Sequence, residues 1–200
     1  MWSVKAGLKA GLDKTILSTD IRGLSAFLDP KVAIKYRQKG LGDDKILVRE
    51  VFKHMFEGYY AYYPEFIVIL QPSSPFVRPS DIKFGIEQLK LDQKAHSFQT
   101  LCEINHIGHS YNQRAINPST KYIQFAHPER RGGSNRKQDY PKHYALGNLI
   151  ITRMKYFAQM GDFFGNSLYK VIPEEYCVDI DYKKDFEEAE RLWTKGKVKI

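Results

Sequence analysis

The sequence predicts an α/β fold with a mostly parallel sheet. Three observations carry that prediction. Helical and strand patterns alternate along the chain. Phe66-Ile67-Val68-Ile69-Leu70 is an unbroken apolar run bounded by turn residues, the pattern of a strand buried on both faces. Polar loops follow the strands, Ser18-Thr19-Asp20 after one and 71–78 after another, where open α/β sheets bind their ligands.

The elements follow in order. Trp2, Val4, Leu8 and Leu12 fall near helical spacing, with Gly7 and Gly11 as weak points or a stop. Thr15-Ile16-Leu17 is β-rich and predicts a strand over 15–18. Leu47, Val51, Phe52, Met55, Phe56 and Tyr59 recur at steps of three and four, behind Asp43-Asp44 as N-cap. After the 66–70 strand, Pro72, Pro75 and Pro79 break the chain. A helix then runs over 81–91, with Ile82, Ile86 and Leu89 on one side. Further strands are expected near 98–104, 148–152 and 177–180, and a last helix over 186–193. The stretch 106–144 is polar, basic and rich in Asn, Gly and Pro. It is too long for a plain loop, so it should leave the core as an extension.

Composition bounds the function. The 200 residues read as one domain, 1–200, and 42% hydrophobic with 27% charged residues excludes wholesale disorder. Two cysteines exclude a disulfide scaffold and a four-cysteine zinc cluster, and Cys102 and Cys177 are expected as reduced thiols. The 31 Lys and Arg against 23 Asp and Glu give a net charge of +8, which favours an anionic ligand: nucleic acid, a membrane surface or a phosphorylated or acidic small molecule. No segment approaches the ~20 apolar residues of a membrane span. Residues 1–11 lack a signal peptide's apolar run, so a soluble, cytoplasmic chain is expected.

Four constellations could carry chemistry. Asp179-Ile180-Asp181 would put two carboxylates on one face of a strand, about 6–7 Å apart, able to hold a hard cation such as Mg²⁺. The ordinary alternative is that Asp181 or Asp185 caps the following helix. Gln71-Pro72-Ser73-Ser74-Pro75-Phe76-Val77-Arg78 offers an amide and hydroxyls to read sugar hydroxyls, and an Arg to clamp a carboxylate or phosphate. Arg130-Arg131-Gly132-Gly133-Ser134-Asn135-Arg136-Lys137 could follow a nucleic-acid backbone, with Tyr111, Tyr122, Phe125, Tyr140 and Tyr144 nearby to stack on bases, form a small core or meet a second copy. Cys102, His106 and His109 have no second Cys/His pair nearby, which argues against zinc, and His54 reads as structural. There is no nucleophile elbow and no common glycine-rich phosphate loop.

Taken in order, four segments resemble the acylneuraminate cytidylyltransferases, or CMP-sialic acid synthetases. Leu17-Ser18-Thr19-Asp20 resembles the family's strand ending in Ser-Thr-Asp. Leu70 through Ile82 looks like its Leu-Gln-Pro-Thr-Ser-Pro-Leu-Arg loop and helix. Lys137-Gln138-Asp139-Tyr140-Pro141-Lys142 resembles its Arg-Gln-Asp-Leu-Pro-Lys segment, and Val178-Asp179-Ile180-Asp181 its terminal Asp-Ile-Asp.

The resemblance implies a three-layer sheet of the nucleotide-diphospho-sugar transferase type, with 106–144 as a dimerisation or lid extension. It implies that a nonulosonic sugar acid attacks the α-phosphate of CTP, giving a CMP-sugar and pyrophosphate. Asp179 and Asp181 would hold Mg²⁺. Gln71 would touch the sugar acid and Arg37 the nucleotide. Lys137 and Gln138 would bind substrate, and Phe163 and Phe164 would line the sugar pocket. The implied partners are CTP, the sugar acid and a second copy of the chain, with no membrane and no nucleic acid. The other readings are a catalytically impaired sugar- or nucleotide-binding relative and an RNA-binding module using 130–137.

The departures carry expectations too. The family's opening strand and basic Arg-x-Gly-Ser-Lys loop have no match here, so the chain is expected to be N-terminally truncated relative to the family and slow in turnover. Lys137 stands for an Arg, Gly147-Asn148 inverts an Asn-Gly, and Ile151 stands where a Tyr is common.

Overall fold

The computed structural model describes residues 2–43, 45–57, 63–130 and 137–200. In chain order the elements are α1 (Trp2–Ala10), β1 (Thr15–Thr19), β2 (Val32–Tyr36), α2 (Val48–Phe56), β3 (Phe66–Ile69), α3 (Pro79–Leu91), β4 (Ser97–Glu103), β5 (Arg114–Ile116), β6 (Ile123–Phe125), β7 (Tyr144–Arg153), α4 (Met154–Met160), β8 (Ser167–Val171) and α5 (Lys183–Thr194).

The main sheet has the order β3-β7-β4-β8. β3, β4 and β8 point the same way, and β7 runs against them, so the α/β sheet is mixed. The reason for β7 lies in its connection. The chain leaves β4 at Glu103, makes the 104–143 excursion, and returns at Tyr144 directly opposite Glu103. Strands joined through a single loop-out excursion at one sheet end must be antiparallel. β1 and β2 form a separate parallel pair, and β5 and β6 a small antiparallel hairpin inside the excursion.

Helices cover both faces, giving three layers. Phe66, Val68 and Leu70 join Leu149, Ile151 and Phe98 beneath residues of α1 and α3. Ile67, Ile69 and Ile150 pack instead with Phe52 and Phe56 of α2 and with Met154 and Phe157 of α4. The period-two alternation of a strand therefore feeds two cores at once. Gly85 lets α3 sit close on the sheet, since a Cβ there would meet the Phe98 ring at 2.5 Å. A third cluster packs Ala189 and Leu192 of α5 on Phe76, with Trp2 and Val198.

Arg153 locks the far end of α3. Its guanidinium donates to the carbonyls of Ala95, Leu89 and Asp92 and lies 3.5 Å from Glu65. A cation on the last carbonyls of a helix satisfies orphan acceptors and complements the dipole.

Several expectations are corrected. The 66–70 run has apolar neighbours on both faces, yet β3 is the outermost strand of its sheet among the described residues. The 177–180 segment is not a strand. A 3₁₀ turn at Glu174–Tyr176 is followed by irregular backbone, and Val178 and Ile180 alternate inward onto the α5 cluster rather than into a ladder. The fourth strand is β8, whose exposed Tyr169 and Val171 diluted its pattern. β2 was also unforeseen. The N-cap position of α2 is Leu47, while the Asp43 carboxylate accepts from the Lys45 amide. Asp44 and Tyr59 lie outside the described residues.

Cys102 and Cys177 are joined as a disulfide, not separate thiols. They stand 75 residues apart, but the fold brings their Cα atoms to 6.0 Å, inside the range a disulfide spans. No helix among the described residues is long and apolar enough to cross a membrane.

Candidate functional site

The ends of β1, β2 and β3 supply one group of predicted residues. Arg37 follows β2. Its amide donates to the Thr19 carbonyl at 2.8 Å, and its guanidinium donates to the Ser18 hydroxyl and carbonyl, both at 3.1 Å. Arg37 thus stands at the expected sheet end but is engaged in holding the tips of β1 and β2 together.

The 71–78 loop follows β3 and is anchored from below. The Ser3 hydroxyl of α1 donates to the Gln71 carbonyl at 2.9 Å, and the Ser74 amide donates to the same carbonyl at 3.2 Å. Ser74, Pro75, Phe76 and Val77 are buried, which leaves Gln71 and Pro72 as the exposed tip. Arg78 is engaged within the protein. It makes a bidentate pair with Asp81 at 2.7 and 3.1 Å and lies over the Tyr176 ring. Asp81 is 1% exposed and is also met by Lys170 at 2.8 Å. This is a buried ion cluster tying α3 to β8, so the expected carboxylate or phosphate clamp at Arg78 is overturned.

The Asp179–Asp181 segment lies against that loop. The Ile180 amide donates to the Ser73 carbonyl at 2.8 Å. Val178 and Ile180 turn inward, and Asp179 and Asp181 are left exposed. The helix cap falls to Asp185, whose carboxylate accepts from the amides of Tyr182 at 2.8 Å and Asp181 at 3.2 Å. Asp185 and Tyr182 complete a capping box on α5. The carboxylates of Asp179 and Asp181 are therefore not consumed by the cap.

A clasp that sequence reasoning missed joins these parts. Asn148, 3% exposed, donates from Nδ2 to the Phe76 carbonyl at 3.1 Å and to the Tyr176 carbonyl at 2.9 Å. Its Oδ1 accepts from the Thr100 hydroxyl at 3.1 Å, and that hydroxyl oxygen accepts from the amides of Asn148 and Leu149. The register of β4 on β7 shifts here, between Gln99 and Leu101. Gly147 is required at this approach, because a Cβ would sit 2.7 Å from the Thr100 hydroxyl. The available signal was a polar Asn inside an apolar strand, a residue that must find buried partners.

Phe163 and Phe164 are separated from this group. They precede β8, and the Phe164 carbonyl accepts from Ser97 and Ser167, the first residues of β4 and β8. Gln71 and Asp179 lie toward the other end of the sheet, beyond the last residue of β3. Phe163 is core, stacked on Phe157 at 4.8 Å and edge-on to Phe52. Phe164 is 39% exposed at that far end. Phe163 thus serves the core, and Phe164 stands just before the start of β8.

The excursion carries Gln138, exposed in a 3₁₀ turn at Lys137–Asp139. The Lys137 side chain and residues 131–136 lie outside the described residues, so most of the basic cluster does too. The rings of His106, His109, Tyr111, Tyr140 and His143 pack together, His109 on His143 at 4.1 Å. His109 Nδ1 accepts from the Tyr111 amide and Nε2 meets the Pro141 carbonyl, which suits a neutral ring donating from Nε2. Burial, and then the neighbouring His109 and Arg130, hold the His143 pKa below the usual histidine value. Cys102 is held in the disulfide, and both ring nitrogens of His109 are engaged by the backbone.

No family model matches this sequence, and no curated protein matches it. Solved structures do match in shape. One is CMP:2-keto-3-deoxy-manno-octonic acid synthetase complexed with CTP, with a TM-score of 0.62 and 10% identity, over 97% of this chain and 88% of that one. Another is 4-diphosphocytidyl-2C-methyl-D-erythritol synthase from Anaerococcus prevotii, TM-score 0.57 and 13% identity, over 96% and 86%. A third is a glucose-1-phosphate thymidylyltransferase, so described as putative, from Bacillus anthracis, TM-score 0.58 and 12% identity, over 95% and 81%. The chain shares the α/β fold of these nucleotidyltransferases.

Proposed function

We propose that this chain is a nucleotidyltransferase that couples CTP to a nonulosonic, sialic-type sugar acid, giving the CMP-sugar and pyrophosphate. One observation carries the reading. The Gln71 loop and the Asp179–Asp181 segment, distant in sequence, are hydrogen-bonded neighbours through Ile180 and Ser73. They meet at the strand-end face where an open α/β sheet binds ligands. The fold shared with a synthetase complexed with CTP and with a diphosphocytidyl-methylerythritol synthase supports the same reading.

In the reaction, the anomeric hydroxyl oxygen of the sugar acid forms a bond to the α-phosphorus. The bond from that phosphorus to the bridging oxygen breaks, pyrophosphate leaves, and the hydroxyl proton passes to solvent. Catalysis of this type is mostly positioning and charge neutralisation. Asp179 and Asp181 would hold Mg²⁺. Two exposed carboxylates spared from the helix cap fit an ion shared with triphosphate oxygens and water, the usual way Mg²⁺ is held. When bound, Mg²⁺ supplies neutralisation of phosphate charge. Gln71 would present its amide to the sugar acid. Arg37 would orient the strand tips beside the nucleotide, and Lys137 with Gln138 would reach the substrate from the excursion. A second copy would cover the exposed Ile116, Tyr122 and Ile123 of the β5–β6 hairpin, giving a homodimer.

A relative that binds without efficient turnover is the second reading. It is favoured by Arg37 and Arg78 being spent on Ser18 and Asp81. Loss of one preorganised donor commonly costs about 10²–10³ in rate.

Calorimetry with CTP tests the site. Mg²⁺-dependent binding is expected, weakened about tenfold or more in Asp179→Ala, equivalent to ~1.4 kcal/mol. Unchanged Mg²⁺-dependent binding in that variant removes the two aspartates from the site. Pyrophosphate release with CTP and a panel of nonulosonic acids separates the two readings, since brisk turnover eliminates the second.

A further inference from the structure

We propose that the Cys102–Cys177 disulfide is a reversible redox clasp on the segment that carries Asp179 and Asp181. The clasp itself stands on the position of the bond. Its effect on nucleotide binding rests on the function proposed above.

Cys102 lies in β4, opposite Ala145 of β7, and so belongs to the rigid sheet. Cys177 ends the Glu174–Tyr176 turn, two residues ahead of Asp179. Two hydrogen bonds flank it, Asn148 to the Tyr176 carbonyl and the Ile180 amide to Ser73. The side chains between them, Val178 and Ile180, are only partly buried. Each hydrogen bond made here replaces hydrogen bonds to water, so their net hold is modest beside a covalent bond. The covalent bond is the one tether here that thermal motion does not open. Breaking it leaves both carboxylates on a stretch held by those hydrogen bonds and by the partly buried Val178 and Ile180.

The bond is also reachable. Cys177 lines a cavity of about 660 Å³ with Glu103, Glu174, Glu175, Glu188 and Arg191. Arg191 is taken up by Glu188 in a close bidentate pair, and Glu103 is met by Lys142 at 2.9 Å. The approach is therefore net negative, and it discriminates between reductants by charge. An uncharged dithiol enters more readily than the anionic tripeptide glutathione, and added salt narrows the difference.

The step balances as ordinary thiol–disulfide exchange. A thiolate of the dithiol attacks Cys177 Sγ, the bond to Cys102 breaks, and Cys102 leaves as thiolate and takes a proton. The second thiol of the reductant then attacks the mixed disulfide, closing an oxidised ring and releasing Cys177. Two electrons and two protons pass from the dithiol to the protein. An oxidised dithiol or disulfide reverses the reaction.

Hydrogen exchange on the whole chain, read by mass spectrometry before and after dithiothreitol, tests the clasp. Intact mass confirms the gain of two hydrogens. Amides over 174–182 should exchange about tenfold faster after reduction, those over 149–152 should not change, and reoxidation should restore protection. The Cys102→Ser, Cys177→Ser double variant should show the fast exchange and ignore the reductant. If that variant does not fold, reduction of the native chain decides alone. Equal exchange before and after full reduction overturns the clasp, as does titration of two free thiols after treatment with a disulfide oxidant. Equal reduction rates by dithiothreitol and glutathione at low salt overturn the electrostatic gate. CTP affinity should fall about tenfold on reduction. Faster exchange with no CTP binding in the oxidised protein defeats the proposed function and leaves the clasp standing. Unchanged exchange with intact CTP binding does the reverse.

Discussion

The main sheet and the 104–143 excursion are built on different principles. The sheet places alternating apolar residues in two helix-covered cores, and Phe98, Leu149 and Ile151 are essentially inaccessible. Within it Asn148 and Arg153 are each locked by several partners. Among its described residues the excursion has no such core. A stack of histidines and tyrosines holds its base, while Ile107, Ile116, Tyr122 and Ile123 face outward. Tyr122 is 77% exposed. A region stabilised by area burial is indifferent to mild changes of pH. A region stabilised by ring stacking among titratable groups is not, and one that leaves large apolar side chains outside is suited to a partner.

The largest expected effect separates the two regions directly. Phe98→Ala empties the sheet core and should destabilise the chain by about 3–5 kcal/mol. Tyr140→Ala in the excursion should change global unfolding by less than about 1 kcal/mol. Urea titrations of both variants measure the difference, and similar losses would erase the distinction between core and excursion.

Asn148→Ala comes next. It leaves two carbonyls and the Thr100 hydroxyl without their buried partner, at about 1–3 kcal/mol. Because one of those carbonyls is that of Tyr176, proteolysis near 176–181 should accelerate in this variant and stay unchanged in a surface control such as Lys90→Ala. A loss of stability with no added cleavage would make Asn148 a packing residue only.

Association is the third test. Sedimentation at micromolar concentration should find a dimer, and Ile123→Lys should weaken it tenfold or more, equivalent to ~1.4 kcal/mol. A native chain that sediments only as monomer removes the proposed partner from the hairpin.

The smallest effect is that of pH. The folded pKa of His143 lies below the ordinary histidine value because burial, His109 and Arg130 all disfavour its charge. The unfolded state therefore binds protons more readily. The contribution of neutral His143 is fully present above the ordinary value of about 6.5 and is lost as pH falls through the lowered folded value. Amide exchange over 104–143, corrected for intrinsic rates, should quicken below neutrality while 149–152 holds steady. A His143→Gln variant should flatten the dependence, and an unaltered slope would assign it to other groups.

Much was legible in the sequence. Period-two and period-3.6 patterns located β1, β3, β4, β7 and four of the helices, because local apolar spacing reflects which face is buried. Asp179, Asp181 and Gln71 could be singled out by residue type and by their place after apolar runs. Other features depend on contacts between distant residues, and spacing does not encode those. Val178 and Ile180 alternate as a strand would, yet their partner is α5 and not a ladder. Arg78 reads as a ligand clamp until Asp81 and Lys170 are seen to close around it.

The sequence by itself determined the α/β class, the polar excursion that follows the 98–104 strand and the identity of the carboxylate and amide candidates, since those follow from local patterning and residue chemistry. Only the tertiary structure decided that β7 runs against its neighbours, that Asn148 joins the loop to the carboxylate segment, and that Cys102 meets Cys177 across 75 residues. The physical reason is that each of these is a directional bond or a register between segments far apart in the chain, and such pairings are selected by the packing of the whole core rather than by any window of sequence.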